Sequence, residues 1–212
     1  MLQVTKGWAA PDTVEAMERV AAVAAKSGNL KQLGDSLEGR AFTAWVAGEL
    51  ITAGALADQA LELARREPAP GILALRYMVQ IAVRFWRGDF AGAEEHFLKG
   101  CKYFDDPAFR RSPVGAPIAV FAYGSYSAWM LGRADVARQR LAAMNAAVHE
   151  GNQHDSVFSA YHGAMLLVFM REYEEVELLA ARALAISEKE KFPNRNVPMA
   201  SRHSASAVTP SS

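Results

Sequence analysis

Apolar residues recur along this chain with the three-to-four-residue period of a helix, and the pattern breaks at regular places. In Val83–Ala93, VRFWRGDFAGA, Phe85 and Trp86 close one apolar stripe, Gly88-Asp89 interrupt it, and Phe90 with Ala93 open the next. The arrangement returns at Trp45–Leu50 followed by Ala53, at Trp129–Ala134 followed by Ala137, and at Phe169–Tyr173 followed by Val176. Taken at Gly48, Gly88, Gly132 and Arg171, the four turns are 40, 44 and 39 residues apart. One helical hairpin per period in this range predicts an all-α solenoid of stacked antiparallel hairpins. No stretch alternates with period two over a useful length, so no sheet is expected.

Taken in order, Pro11-Asp12-Thr13-Val14-Glu15 predicts a helix start, with Asp12 capping and Glu15 reaching back to it. Val14, Met17, Val20, Ala21 and Ala24 form its stripe to about Ser27, and Gly28-Asn29 stops it. Leu30–Ala47 follows; Gly34 and Gly39 each cost about 1 kcal/mol in a helix interior, which weakens its first half. Leu50–Arg66 ends at Pro68 and Pro70 and is followed by Gly71–Arg87 and Phe90–Phe104. Asp105–Pro117, with three prolines, is the longest expected loop and accounts for the 44-residue spacing. Ile118–Leu131, Ala134–Glu150, His154–Arg171 and Tyr173–Lys191 complete about nine helices, one unpaired and then four hairpins. The expected division is a lead-in over 1–11, a helical repeat domain over 12–191 and a disordered tail over 192–212, whose serine-rich sequence has no apolar periodicity.

Composition narrows the chemistry. Hydrophobic residues make up 51% of the 212 positions, ample for a core, and 23 basic residues balance 23 acidic ones. With no block of like charge, direct binding to nucleic acid or to an anionic membrane is not expected. The single cysteine, Cys101, excludes an internal disulfide framework and fits a reducing compartment; its expected role is a small apolar filler. The first residues lack the apolar core of a signal peptide, and Pro117–Leu131 is too short and too polar to span a bilayer, so a cytoplasmic protein is expected.

The turns also carry a resemblance. Their pattern, a glycine followed by an aromatic or aliphatic residue and then a small one, is similar to the turn between the two helices of a tetratricopeptide repeat, and Gly88-Asp89-Phe90-Ala93 is the nearest match. The units are longer than the usual repeat of that family. Gly7-Trp8-Ala9-Ala10-Pro11-Asp12, Arg87-Gly88-Asp89-Phe90, Tyr103-Phe104-Asp105, Tyr126–Gly132 and Lys191-Phe192-Pro193 resemble the long tetratricopeptide-like domain at the C-terminal end of bacterial signalling ATPases. Those proteins are fused to adenylate or guanylate cyclase domains or to DNA-binding ends. The resemblance implies a superhelix of hairpins and a regulatory role in signal transduction through a protein or peptide partner. No phosphate loop of the form G-x-x-x-x-G-K-[ST] is present, and no pair of metal-binding aspartates on a strand can be placed, so no catalysis and no cofactor is implied. The first helix stands where a second helix of a hairpin belongs, and the similarity stops after Pro193. Two readings follow, a piece of a longer gene or a natural short protein with a disordered tail. Exposed solenoid ends make self-association an expectation in either.

In such a repeat the first helix of each hairpin lines the concave face. With the turn residues as register, the inward positions are Phe42, Trp45, Met78, Phe85, Trp86, Tyr126, Trp129, Tyr161 and Met165. They predict either a groove for an amphipathic helix, an apolar peptide or a flat ligand, or a row of rings consumed by core packing. The groove fails if most of them are under about a tenth exposed. A stand-alone sensor with that groove as its pocket is the alternative function. Arg76, Arg84 and Arg87, with Arg110 and Arg111 in the loop, suggest a basic rim for an acidic motif or a solvated face. The histidines form no H-E-x-x-H and no Cys/His cluster, so surface histidines and no metal are expected. Ser125 and Ser127 fall within a helix rather than in a nucleophile elbow.

Overall fold

The computed structural model describes residues 11–112, 115–149 and 152–190. The predicted tail, and most of the lead-in, lie outside them. Ten α-helices occur among the described residues: α1 (Pro11–Ser27), α2 (Leu30–Val46), α3 (Leu50–Arg66), α4 (Pro70–Trp86), α5 (Phe90–Gly100), α6 (Pro107–Arg110), α7 (Ala116–Met130), α8 (Ala134–Ala146), α9 (Gln153–Met170) and α10 (Tyr173–Glu190). No strand occurs among these residues. The expected nine become ten because the long loop contains α6. Asp106 caps it by accepting from the amides of Ala108 and Phe109, and Pro107 supplies the first-turn φ. Phe109 is thereby buried against the aromatic core, 5.8 Å from Phe104.

The hairpins are α2–α3, α4–α5, α7–α8 and α9–α10, and the first helices stack in the order α2, α4, α7, α9. Each hairpin turns on one backbone motif. Gly48, Gly88 and Gly132 take positive φ, and so does Arg171 at 62°, the only such non-glycine among the described residues. The amide after each turn residue bonds five residues back: Glu49 to Ala44, Asp89 to Arg84, Arg133 to Ala128 and Glu172 to Leu167, at 2.8–2.9 Å. This closes the helix C-terminus and sets the exit angle of the next helix. Ala53, Ala93 and Ala137, five residues past their turns, are fully buried because a small side chain lets the two helices close on each other.

Glycines inside the helices serve the junctions between hairpins. A Cβ on Gly124 of α7 would lie 2.5 Å from the Phe97 ring of α5. Gly163 of α9 serves its own hairpin first: a Cβ there would lie 3.1 Å from Leu179 of α10, and at ordinary contact, 3.7 Å, from Leu141 of α8. Gly34, expected to weaken α2, leaves room for the Arg76 guanidinium, 3.4 Å from where its Cβ would be. The helix is continuous because that space is used by a neighbour. Asp12 lies in the first turn of α1 rather than before it, since the helix begins at Pro11.

Candidate functional site

The nine positions predicted to line the inner face divide. Met78, Phe85 and Tyr126 are buried and belong to the core. Phe42, Trp45, Trp129 and Met165 are half-buried, while Trp86 and Tyr161 are 45% and 39% exposed. Fewer than half are enclosed, so the surface persists in reduced form. It is not an open channel, because its rings fill it. Trp45 of α2 reaches over α4 to the Tyr123 ring of α7 at 5.7 Å, and Phe42 packs edge-on against Trp45 at 4.9 Å. Phe85 touches Trp86, Tyr123 and Tyr126 at 5.4–5.9 Å. The exposed Trp86 ring is thus backed on one side by Phe85, edge-on at 5.6 Å.

What stays open is the edge of this face at the hairpin turns. Two residues before their turn residues stand Val46, Trp86 and Met130, which are 53%, 45% and 39% exposed. Leu131 and Val168 are exposed beside them. One large apolar side chain in each of the first three hairpins therefore faces outward at one register, while Phe169 at that register in the fourth packs edge-on against Tyr126 at 5.8 Å.

Beneath this edge lies a polar group that periodicity did not reveal. His162, expected at the surface, is buried in α9. Its Nδ1 and its own backbone oxygen both lie 2.8 Å from the Tyr126 hydroxyl. The carbonyl can only accept, so the phenol donates to it and Nδ1–H donates to the phenol oxygen. Nε2 has no partner within the protein. Phe158, Tyr161 and Tyr123 enclose the ring at 4.4, 5.1 and 5.6 Å. Burial pushes the imidazole pKa down to about 3 and raises that of the Tyr126 phenol, so both are neutral. Two other histidines are also engaged: His149 Nδ1 lies 2.7 Å from Asp155, and His96, half-buried, bonds the Gly92 carbonyl through Nδ1. Among the described residues no group of three His, Cys, Asp or Glu side chains is placed to hold a metal.

The five arginines do not form a rim. Arg76 is buried and points into α2, where it donates to Asp35 at 2.6 Å and pairs with Glu38. Arg84 is tied to Asp58 and Asp89. Arg87 covers Gly54 of α3, its Nη1 2.7 Å from where that Cβ would be. Arg110 pairs with Asp105 in the α6 segment, and Arg111 is exposed next to it. A cleft of about 760 Å³ between α3 and α5 is bordered by Arg65, Arg84, Lys99, Asp58 and Glu62. Its cations are already paired, Arg65 with Glu62 and Lys99 with Glu95. Cys101 is exposed at the end of α5, its thiol against the Leu98 carbonyl, and fills no core space.

Opposite charges across the repeat junctions were not foreseen. Glu94 of α5 bonds Arg140 and Arg133, and Arg140 lies 3.8 Å from the centre of the Phe97 ring. Arg138 of α8 pairs with Glu172. Glu94 and Arg138 each stand six residues after their own turn residue, and Arg133 and Glu172 one residue after the next. That spacing was the available signal. Ser125 and Ser127 donate to the carbonyls of Phe121 and Tyr123 one turn back in α7. No helix among the described residues is long and apolar enough to cross a membrane.

Comparison with protein-family models gives no match, and comparison with curated protein sequences gives none either. Among solved structures, the chain is similar to BtubC (BKLC) from P. vanneervenii at 15% identity, with 95% of each chain covered and a TM-score of 0.48.

Proposed function

We propose that this chain is a non-catalytic interaction module that holds a partner polypeptide along the turn edge of its first helices. The observation that carries the reading is the repeated outward placement of Val46, Trp86 and Met130 at one register. Packed helices lie about 8–10 Å apart, so a partner crossing them meets an apolar seat at that interval. Two turns of a helix, about 10.8 Å, match it, which favours an amphipathic helix as the partner. Trp86 packs edge-on against the buried Phe85 before any partner arrives, which reduces the side-chain freedom lost on binding. The groups that catalysis would need are committed elsewhere: the serines of α7 to helix carbonyls, and His162 to Tyr126 inside a wall of rings.

The regulatory part of the reading rests on the resemblance to the helical ends of signalling ATPases, with the partner's arrival as the signal. The stand-alone sensor has less support, because Phe85, Tyr126 and Met78, which would line its pocket, are core residues.

The test is cross-linking in the source cell with a photoreactive residue placed at Leu131, beside the strip. A discrete adduct with one partner is expected. It should disappear in the Trp86→Ser/Met130→Ser variant while thermal unfolding stays unchanged. An adduct that persists in that variant would sink the proposal.

A further inference from the structure

The junctions between hairpins follow one register, and α10 carries that register on an outer face. The residue six positions past a turn meets the residue just after the next turn, as Glu94 meets Arg133 at 3.1 Å and Arg138 meets Glu172. The residue nine positions past a turn meets the one eight before the next turn, with complementary size. Phe97 lies over Gly124 and Leu141 over Gly163. At the α3–α4 junction the two positions are Ala57 and Gln80, both buried, and the Gln80 amide reaches Asp58, the residue next to Ala57, at 2.8 Å. In α10 the same two positions are Glu177 and Ala180, both exposed. Leu184 corresponds to Leu61 of α3; Leu61 is 3% exposed within the array, and Leu184 is 51% exposed.

We propose that the outer face of α10 is a docking surface for a helix–turn segment of a partner chain, seated as α4 is seated on α3. The partner helix runs antiparallel to α10. It sets a large side chain over Ala180, an apolar one against Leu184, and a lysine or arginine just after its turn against Glu177. Glu174, also exposed and about one turn before Glu177, extends the acidic end of this face and favours a basic partner. Among the described residues a second copy of the chain offers only α1 as a free helix followed by a turn, and the residue after its Gly28 is Asn29, not the lysine or arginine that Glu177 calls for. The surface is separate from the strip of Trp86 and Met130, and the proposal does not depend on it.

The test uses the full chain and a stapled helical peptide with a leucine–methionine stripe, glutamine elsewhere and a terminal turn ending in arginine. A twin peptide ends in glutamate. Fluorescence anisotropy of the labelled peptide should show saturable binding of the arginine form. Glu177→Lys should weaken it roughly fivefold, and Leu184→Asp by about tenfold or more. The glutamate twin should prefer the Glu177→Lys chain. Both substitutions are at exposed positions, and matching thermal melts confirm that the fold is kept. Absence of saturable binding, or indifference to either substitution, overturns the proposal. Binding that survives Leu184→Asp but is lost on Trp86→Ser assigns the peptide to the strip and overturns it too. Self-association of the chain in sedimentation that is abolished by Leu184→Asp would make a second copy the occupant and equally refute the partner assignment.

Discussion

The Phe97 ring of α5 fills the space where a side chain on Gly124 of α7 would begin, 2.5 Å from the missing Cβ. Arg140 covers the ring at 3.8 Å. The ring is confined, so Gly124→Ala cannot be absorbed by a small shift. Overpacking of this kind costs about 1–3 kcal/mol. Urea unfolding should show that loss, and Phe97→Leu in the same chain should recover part of it although alone it destabilises. A neutral Gly124→Ala would show that the junction yields.

Arg171 has a φ of 62° where the three other hairpins have glycine. A left-handed conformation costs an L-residue about 1–2 kcal/mol. Glycine relieves it but adds about 0.4–1 kcal/mol of unfolded-chain entropy. The balance is a gain of about 0.5–1 kcal/mol for Arg171→Gly, read as a melting midpoint roughly 2 °C higher. A lower midpoint would mean that the arginine side chain makes a contact worth more than the strain.

His162 is kept neutral in the fold, with its pKa lowered to about 3 from 6.5. In the unfolded chain it takes up a proton below pH 6.5. Between those values the unfolded state binds more protons, so stability falls as pH falls, by about 1.4 kcal/mol per pH unit from this group. Above pH 6.5 the group contributes no slope. Stability measured from pH 7 to pH 4 should decline less steeply in His162→Gln than in the native chain. Parallel curves would show that the ring gains a proton without unfolding.

The pair of Glu94 with Arg140 is buried and joins α5 to α8. Removing Arg140 leaves the buried Glu94 with only the half-exposed Arg133, and losing a buried partner of this kind costs up to about 3–5 kcal/mol. Arg140→Met should therefore destabilise more than Arg140→Met combined with Glu94→Leu. Chemical unfolding of the two variants decides it, and the reverse order would show that water reaches Glu94.

The hairpins were legible because a turn makes a backbone demand that few residues meet. Gly48, Gly88 and Gly132 meet it, and position alone identified Arg171 as their stand-in. The short α6 was hidden because Asp106-Pro107 reads equally as a loop breaker and as a cap followed by a first helical residue. The inner face was half legible. A helix packed between two neighbours is apolar on most sides, as α4 and α7 are, so periodicity does not separate a ring facing a groove from one facing the next helix. Charge misled in a related way. Arg76 reads as surface until Asp35 and Glu38 on α2 are brought against it, and their partnership spans 41 residues of sequence in the case of Asp35. His162 is hidden for the same reason, since its partner Tyr126 is 36 residues away.

Among the described residues α7 touches α4, α5, α6, α8 and α9, whereas α1 touches only α2 and α10 only α9. An array bound together by neighbours comes apart from its margins. Amide protons of α7 should outlast those of α1 and α10 in hydrogen exchange, with lifetimes falling outward hairpin by hairpin. Under a gentle pull on both termini the molecule would lengthen in steps rather than give way at once, and the stacked rings around Tyr126 would be the last part to release.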